Sequence, residues 1–177
     1  MKSVKPQPES PFPDIIVPLL SGGEIALGKA AKPENWQMVV VYRGKHCPLC
    51  TRYLNELEAV VPQLAELGVE VVAVSADPQE RAMTHLAEIP HSFPVGFDLS
   101  IEQMQQLGLY ISHPRSPEES DRPFAEPGLF VVNEEGHLQI VDLSNIPFAR
   151  PDLNAMVQGI GFVRNPANNY PIRGTFA

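Results

Sequence analysis

The only two cysteines of the chain, Cys47 and Cys50, stand in a Cys-Pro-Leu-Cys motif and are the residues best suited to chemistry. The β-branched run Val39–Val41 in front of them, followed by Tyr42, is too short for a helix and predicts a buried strand. Pro48 suits the first position of a helix. Apolar residues then recur every three or four positions, which predicts one apolar helical face: Leu54, Leu57, Val61, Leu64 and Leu67. Cys47 is therefore predicted at the junction of a strand and a helix.

A cysteine at such a junction is expected to be reactive. The first backbone N–H groups of a helix lack partners, and the helix dipole adds partial positive charge, so an anion is favoured there. We expect Cys47 to ionise more readily than a free thiol and to act as the nucleophile. Cys50 lies one turn deeper, where apolar surroundings favour the neutral thiol, and can close a disulfide with Cys47. His46 and Lys45 are expected to add positive charge.

A zinc site is the main alternative for the cysteine pair. A structural zinc site has four ligands and usually a second pair of cysteines. Besides its two cysteines this chain offers only five scattered histidines. We therefore expect no metal and no other cofactor. A pair of inert buried cysteines is a weaker alternative, because the order strand, Cys-x-x-Cys with Pro48, helix is typical of redox chemistry.

Length and charge exclude several classes of protein. The 177 residues suffice for about one domain with a full hydrophobic core. The net charge of −8 argues against a nucleic-acid partner. No apolar run reaches the roughly 18 residues of a membrane span, and the first residues lack the apolar block of a signal peptide. We expect a cytoplasmic protein, in which a Cys-x-x-Cys pair is more often catalytic than a permanent disulfide.

The order of the predicted elements indicates an α/β fold. Strands at 36–42 and 69–75 flank the helix at 48–67, which makes a right-handed βαβ unit with parallel strands. Two short strands around Ser21–Gly23 precede this unit, and a hairpin turning at Glu134–Gly136 follows it. Further helices are predicted at 79–88, 101–107 and 152–163.

Three segments are predicted along the chain: a flexible leader over 1–13, one domain over 14–164 and an irregular tail over 165–177. The polar, proline-rich residues 112–127 are too long for an ordinary connection, so we expect a surface flap there.

The segment Tyr42–Cys50, Tyr-Arg-Gly-Lys-His-Cys-Pro-Leu-Cys, resembles the F-R-G-x-W-C-P-x-C core of peroxiredoxin-like proteins of the AhpC/TSA group. The resemblance runs from about Phe12 to about Phe162 and is strongest at the C-P-x-C core. It implies a thioredoxin-like fold: a central mixed sheet flanked by helices, with an N-terminal β-hairpin. It also places Pro127 where thioredoxin-fold proteins keep a cis-proline facing the active cysteine. Glu126 would then offer backbone groups to an extended substrate.

Two places depart from the pattern of peroxiredoxins proper. Gly44 stands where they carry threonine or serine three residues before the reactive cysteine, and Val40 stands where they carry a proline. Pro127 lies where they carry an arginine, so Arg43 and Arg122 are the candidates to reach the pocket. The missing hydroxyl and arginine are donors that polarise a peroxide bond, and one such donor contributes ~3 kcal/mol in a transition state.

The resemblance implies an antioxidant thiol peroxidase. The Cys47 thiolate would reduce a hydroperoxide and become a sulfenic acid, and Cys50 would condense with it to a disulfide. A thiol reductant such as thioredoxin or glutathione would restore both cysteines. A homodimer is an expectation from the resemblance alone.

Two other functions remain open at the level of sequence. A thiol–disulfide oxidoreductase acting on protein disulfides would use the same cysteines together with Pro127. A binding module without catalysis would engage a partner through the flap at 112–127 or the tail at 165–177, since fold does not fix function.

Overall fold

A mixed β-sheet forms the centre of the computed structural model, which describes residues 3–177; Met1 and Lys2 lie outside the described residues. The strands of the structure are β1 (Ile16–Pro18), β2 (Glu24–Ala26), β3 (Trp36–Val41), β4 (Val69–Val74), β5 (Val95–Gly96), β6 (Ile111–Ser112), β7 (Phe124–Ala125), β8 (Gly128–Val132) and β9 (Leu138–Leu143). The central sheet has the order β5-β4-β3-β8-β9. In it β3, β4 and β5 are parallel, and β8 and β9 are antiparallel to their neighbours. The predicted mixed sheet and βαβ unit are confirmed.

Helices cover both faces of this sheet. They are α1 (Pro48–Glu66), α2 (Gln79–Leu86), α3 (Ile101–Gln106) and α4 (Leu153–Arg164), followed by a short 3-10 helix at Pro166–Asn168. Each of the four predicted helices is present, with ends that differ by at most two residues. The antiparallel pair β1 and β2 confirms the predicted N-terminal hairpin.

The alternation of side chains along β3 divides the core in two, because successive strand residues point to opposite faces. Met38 and Val40 pack with the apolar faces of α1 and α4. Val39 and Val41 pack with α3 and with residues of the N-terminal hairpin. All six residues of β3 are buried, so the strand that leads to Cys47 is fixed from both sides.

A separate two-stranded sheet closes the base of the flap predicted at 112–127. β6 and β7 pair antiparallel, with Ile111 opposite Ala125 and Ser112 opposite Phe124. Residues 113–123 lie between these strands. Sequence alone did not indicate this pairing, because the strands have two residues each and no periodicity develops over that length.

Part of the predicted leader packs against the domain. The Glu9 N–H donates to the Leu138 carbonyl and the Phe12 N–H to the Gly136 carbonyl, at 2.8 and 2.9 Å. The Phe12 ring meets the Phe130 ring edge-on, with centroids 5.6 Å apart. These contacts join residues 9–12 to the domain, and the flexible leader over 1–13 and the boundaries at residues 13 and 164 stay predictions.

Candidate active site

Cys47 lies where the sequence places it, between the end of β3 and the start of α1. It is the N-cap of α1, with extended backbone angles, and Pro48 is the first helical residue. The Cys47 sulfur accepts the Cys50 backbone N–H at 3.3 Å, which satisfies one of the free donors of the first turn. Both cysteines are reduced, and their side chains are almost fully buried.

The two thiols have opposite acidities. A hydrogen bond from the Cys50 thiol, together with Arg43, the Cys50 backbone N–H and Arg150, lowers the pKa of Cys47 from 9.0 to about 5. Burial raises the pKa of Cys50 well above its ordinary value. Cys47 is therefore a thiolate at neutral pH and Cys50 is a neutral thiol that donates to it. The predicted difference in acidity is confirmed; the nucleophilic role of Cys47 stays a prediction.

Arg150 is the residue at this site that sequence reasoning missed. Its Nη2 lies 2.8 Å from the Cys50 sulfur and 3.9 Å from the Cys47 sulfur. Its Nε donates to the Pro147 carbonyl at 2.8 Å, and its guanidinium lies 5.0 Å from the centre of the Tyr53 ring. The only signal in the sequence is an arginine between two prolines ahead of the last helix, and this signal does not point to cysteines 100 residues away.

Arg43 supplies a second guanidinium, and Arg122 does not. The Arg43 side chain contributes to the low pKa of the Cys47 thiol. Arg122 instead pairs with Asp121 at 3.0 Å and with Asp98 at 3.3 Å. Of the two arginines proposed from sequence, only Arg43 reaches the cysteines.

Gly44 has a conformational reason to be glycine. Its φ of +142° lies in a region that other residues rarely adopt, and an added Cβ would stand 2.7 Å from Oδ1 of Asp77. The other oxygen of this carboxylate accepts the Lys45 N–H at 2.8 Å. The loop before Cys47 is thus shaped by Asp77, and a hydroxyl-bearing residue does not fit where peroxiredoxins carry one.

The expectation that His46 adds positive charge is wrong. Burial, with a further contribution from Arg43, lowers the pKa of His46 to about 4, so this imidazole is neutral at neutral pH. Its ring packs on the Phe124 ring, with centroids 4.5 Å apart. The adjacent Lys45 is exposed. Two arginines therefore provide the positive charge at the two sulfurs.

The expected cis-proline is also absent. Residues 3–177 contain no cis peptide bond, so Pro127 is trans. The Glu126 N–H, expected to be offered to a substrate, donates to the Tyr110 carbonyl at 2.8 Å within the fold. What Glu126 brings towards the site is its side chain, because its Oε1 lies 2.9 Å from Nε of Arg43.

A groove of about 780 Å³ lies beside this site, between α1 and residues 147–154. Leu49, from the turn between the cysteines, lines it together with Tyr53, Phe148 and Arg150. Cys47 is only 2% exposed, and neither cysteine lines the groove; Arg150 both lines it and contacts the Cys50 sulfur. The site thus combines a thiolate, a second thiol, two guanidinium groups and a mostly apolar approach, which suits attack on a small electrophilic oxygen or sulfur.

Residues 3–177 contain neither a candidate metal site nor a helix that could span a membrane. No group of three or more histidine, cysteine or acidic side chains stands close enough together to bind a metal ion. None of the helices there combines the length and the apolar composition needed to cross a membrane.

The fold is shared with known thiol enzymes. A peroxiredoxin 6 variant of Arenicola marina superimposes with a TM-score of 0.76 at 14% identity, covering 92% of this chain and 76% of that one. Peroxidoxin BcpB of Mycobacterium tuberculosis gives a TM-score of 0.71 at 15% identity, with 92% and 98% covered. A putative thiol:disulfide interchange protein DsbE of Chlorobium tepidum gives 0.67 at 18% identity, with 89% and 99% covered. These likenesses establish the thioredoxin-like fold.

Sequence comparison identifies the family. No curated protein matches the chain. The profile of the AhpC/TSA family matches residues 8–141, which span both cysteines, the flap and most of the central sheet. Since this match covers well over half of the 177 residues, the chain belongs to the AhpC/TSA family of peroxiredoxin-type oxidoreductases.

Proposed function

We propose that the protein reduces hydroperoxides through Cys47. The thiolate attacks the terminal peroxide oxygen, a sulfur–oxygen bond forms, and the O–O bond breaks. The alkoxide takes a proton and leaves as an alcohol, and Cys47 becomes a sulfenic acid. The Cys50 sulfur then attacks the Cys47 sulfur, water leaves, and a disulfide remains. Two electrons from a thiol reductant restore both cysteines.

The observation that carries this proposal is the arrangement of two arginines around a thiolate. Arg43 and Arg150 are the cationic donors closest to the sulfurs, and Arg150 supplies a guanidinium although Pro127 occupies the place of the peroxiredoxin arginine. Negative charge develops on the peroxide oxygens as the bond breaks, and donors that are fixed beforehand stabilise such charge best. This arrangement supports peroxide reduction without the hydroxyl missing at Gly44.

Stopped-flow mixing with hydrogen peroxide tests the proposal. We expect Cys47 of the wild-type protein to be oxidised far faster than free cysteine. The Cys47→Ser variant should show no such fast oxidation. Arg150→Gln should slow oxidation roughly a hundredfold to a thousandfold, the loss typical of one transition-state donor. Arg52→Gln is the matched control, because Arg52 lines the same groove but pairs with Glu56 on the surface. Oxidation of Cys47 no faster than that of free cysteine would refute the proposal.

A thiol–disulfide oxidoreductase acting on protein disulfides is the second candidate. Gly44 favours it, because exchange between sulfurs needs no hydroxyl to polarise an O–O bond. A Cys50→Ser variant distinguishes the two functions. If it accumulates mixed disulfides with proteins, disulfide exchange is supported. If it accumulates sulfenic acid after addition of peroxide, peroxide reduction is supported.

The disulfide form must be reduced by a thiol, and we propose thioredoxin or glutathione for this step. The groove beside Cys50 supports a protein reductant, because exposed Leu49 and Phe148 provide an apolar surface next to Arg150. Peroxide turnover with each reductant in turn distinguishes them. A homodimer is a further proposal, to be tested by light scattering of the reduced protein.

A further inference from the structure

The carboxylate of Glu126 is a buried charged group that the proposed chemistry does not use. The residue is 3% exposed. Its Oε1 lies 2.9 Å from Nε of Arg43, and its Oε2 accepts the Ser112 hydroxyl at 2.6 Å. Ser112 and Glu126 belong to opposite sides of the base of the flap, so the pairing of β6 and β7 fixes the position of this carboxylate.

The Arg43 guanidinium is held between this carboxylate, an aromatic ring and the active cysteine. Its centre lies 4.9 Å from that of the Phe124 ring, and its side chain is only 16% exposed. Its positive charge favours the thiolate of Cys47. An arginine side chain has several rotatable bonds, and confining it costs conformational entropy. Glu126 and Phe124 restrict its conformational freedom.

We propose that Glu126 is a positioning residue, whose carboxylate, anchored by Ser112 at the base of the flap, holds the Arg43 guanidinium against Cys47. This inference deepens the proposed function, since it concerns the same thiolate. It is nevertheless tested on the ionisation of Cys47 and not on peroxide turnover. If the protein had no peroxidase activity, the proposed function would be refuted, but the inference about Glu126 would be unaffected.

The charge of Glu126 and its positioning role have opposite effects on Cys47. By charge alone, a nearby carboxylate disfavours a thiolate, so removing it should lower the pKa of Cys47. If Glu126 instead holds Arg43 in place, removing it frees the guanidinium and raises that pKa. The other groups around Cys47 are Cys50, Arg150 and the neutral His46, and the substitutions leave them unchanged.

The experiment measures the pKa of Cys47 from the pH dependence of alkylation by iodoacetamide and from thiolate absorbance. Glu126→Gln removes the charge at constant size, and Glu126→Asp keeps the charge but is one methylene too short to reach both partners. We expect the pKa to rise by about one unit in each, a tenfold change in the ionisation equilibrium. An unchanged pKa in Glu126→Asp with a lowered pKa in Glu126→Gln would overturn the proposal.

Two further variants test whether Glu126 acts through Arg43. In an Arg43→Gln background, the Glu126→Gln change should produce no further rise, because the guanidinium to be positioned is gone; an equal rise in both backgrounds would contradict the proposal. Ser112→Ala leaves the ion pair but frees the carboxylate, so we expect a smaller rise of the same sign. This variant also decides the matter if the Glu126 variants do not fold, since an unchanged pKa would then count against the proposal.

Discussion

At the scale of single residues, the two cysteines form a unit in which each thiol sets the state of the other. Cys50 is buried and keeps its proton, and that proton is donated to the sulfur of Cys47. The Cys50 sulfur in turn accepts from Arg150 at 2.8 Å and from the Arg43 N–H at 3.4 Å. The proposed resolving thiol therefore also contributes to the acidity of the proposed nucleophile before any oxidation takes place.

A Cys50→Ala variant should raise the pKa of Cys47 from about 5 towards its ordinary value of 9.0, because the largest stabilising contact of the thiolate is lost. Alkylation at pH 6 to 7 should slow accordingly; the working range is set by these two pKa values. Cys50→Ser keeps a donor at the same place and is the control, with a smaller rise. If the pKa of Cys47 were equal in the alanine and serine variants, a proton donated from position 50 would not be what stabilises the Cys47 thiolate.

At the scale of elements, the loop between β3 and α1 is set by residues from another part of the sheet. Asp77, which follows β4, accepts the Lys45 N–H and occupies the space that a side chain at position 44 would need. β3 and β4 are parallel and in register up to Val41 and Val74, so their carboxyl ends bring the two loops together. The departure from the peroxiredoxin pattern at Gly44 is thus coupled to the position of Asp77.

A Gly44→Ala change should lower the free energy of unfolding by roughly 1–3 kcal/mol, because it combines a disfavoured φ with a clash against Asp77. Urea titration followed by circular dichroism measures this loss. Gly136→Ala is the matched control: its φ is +79°, but an added Cβ meets no atom within 4 Å. We expect the control to lose only about 1 kcal/mol, and a loss equal to that of Gly44→Ala would exclude the clash.

At the scale of the whole molecule, Arg164 connects the C-terminal helix to the far end of α1. Its Nη1 donates to the carbonyls of Leu67 and Gly68 at 3.0 and 2.9 Å, where α1 ends. Its guanidinium also lies 4.6 Å from the centre of the Trp36 ring at the start of β3. One side chain therefore joins α4, α1 and β3 at the end of the molecule opposite the cysteines.

Arg164→Ala should destabilise the protein by ~1–3 kcal/mol, since it removes hydrogen bonds from a charged donor and a contact with an aromatic face. Thermal unfolding measures the loss. Arg173→Ala is the control, because the contact described for Arg173 is with the Tyr170 ring in the tail. If Arg173→Ala lowered the transition temperature as much as Arg164→Ala, the contacts of Arg164 would contribute no more to stability than the contact in the tail.

The sequence by itself determined the local part of the site. A β-branched strand, a proline at the first helical position and an apolar stripe place Cys47 at a helix N-terminus, and each of these signals acts within a few residues. The direction of the difference in acidity between Cys47 and Cys50 was also predicted from their positions in the helix, although Arg43 and Arg150 contribute to it in the folded protein. The order of elements also predicted the sheet, since parallel strands joined by a helix have one common handedness.

Only the tertiary structure decided what surrounds the cysteines. Arg150 reaches Cys50 because α4 packs on α1, and Glu126 reaches Arg43 because β6 pairs with β7; neither contact leaves a periodic signal in the sequence. His46 is neutral for the same kind of reason, whereas the trans form of Pro127 is the ordinary local preference of a bond before proline. Burial and the charge of Arg43 set the state of His46, and this environment exists only once the chain has folded.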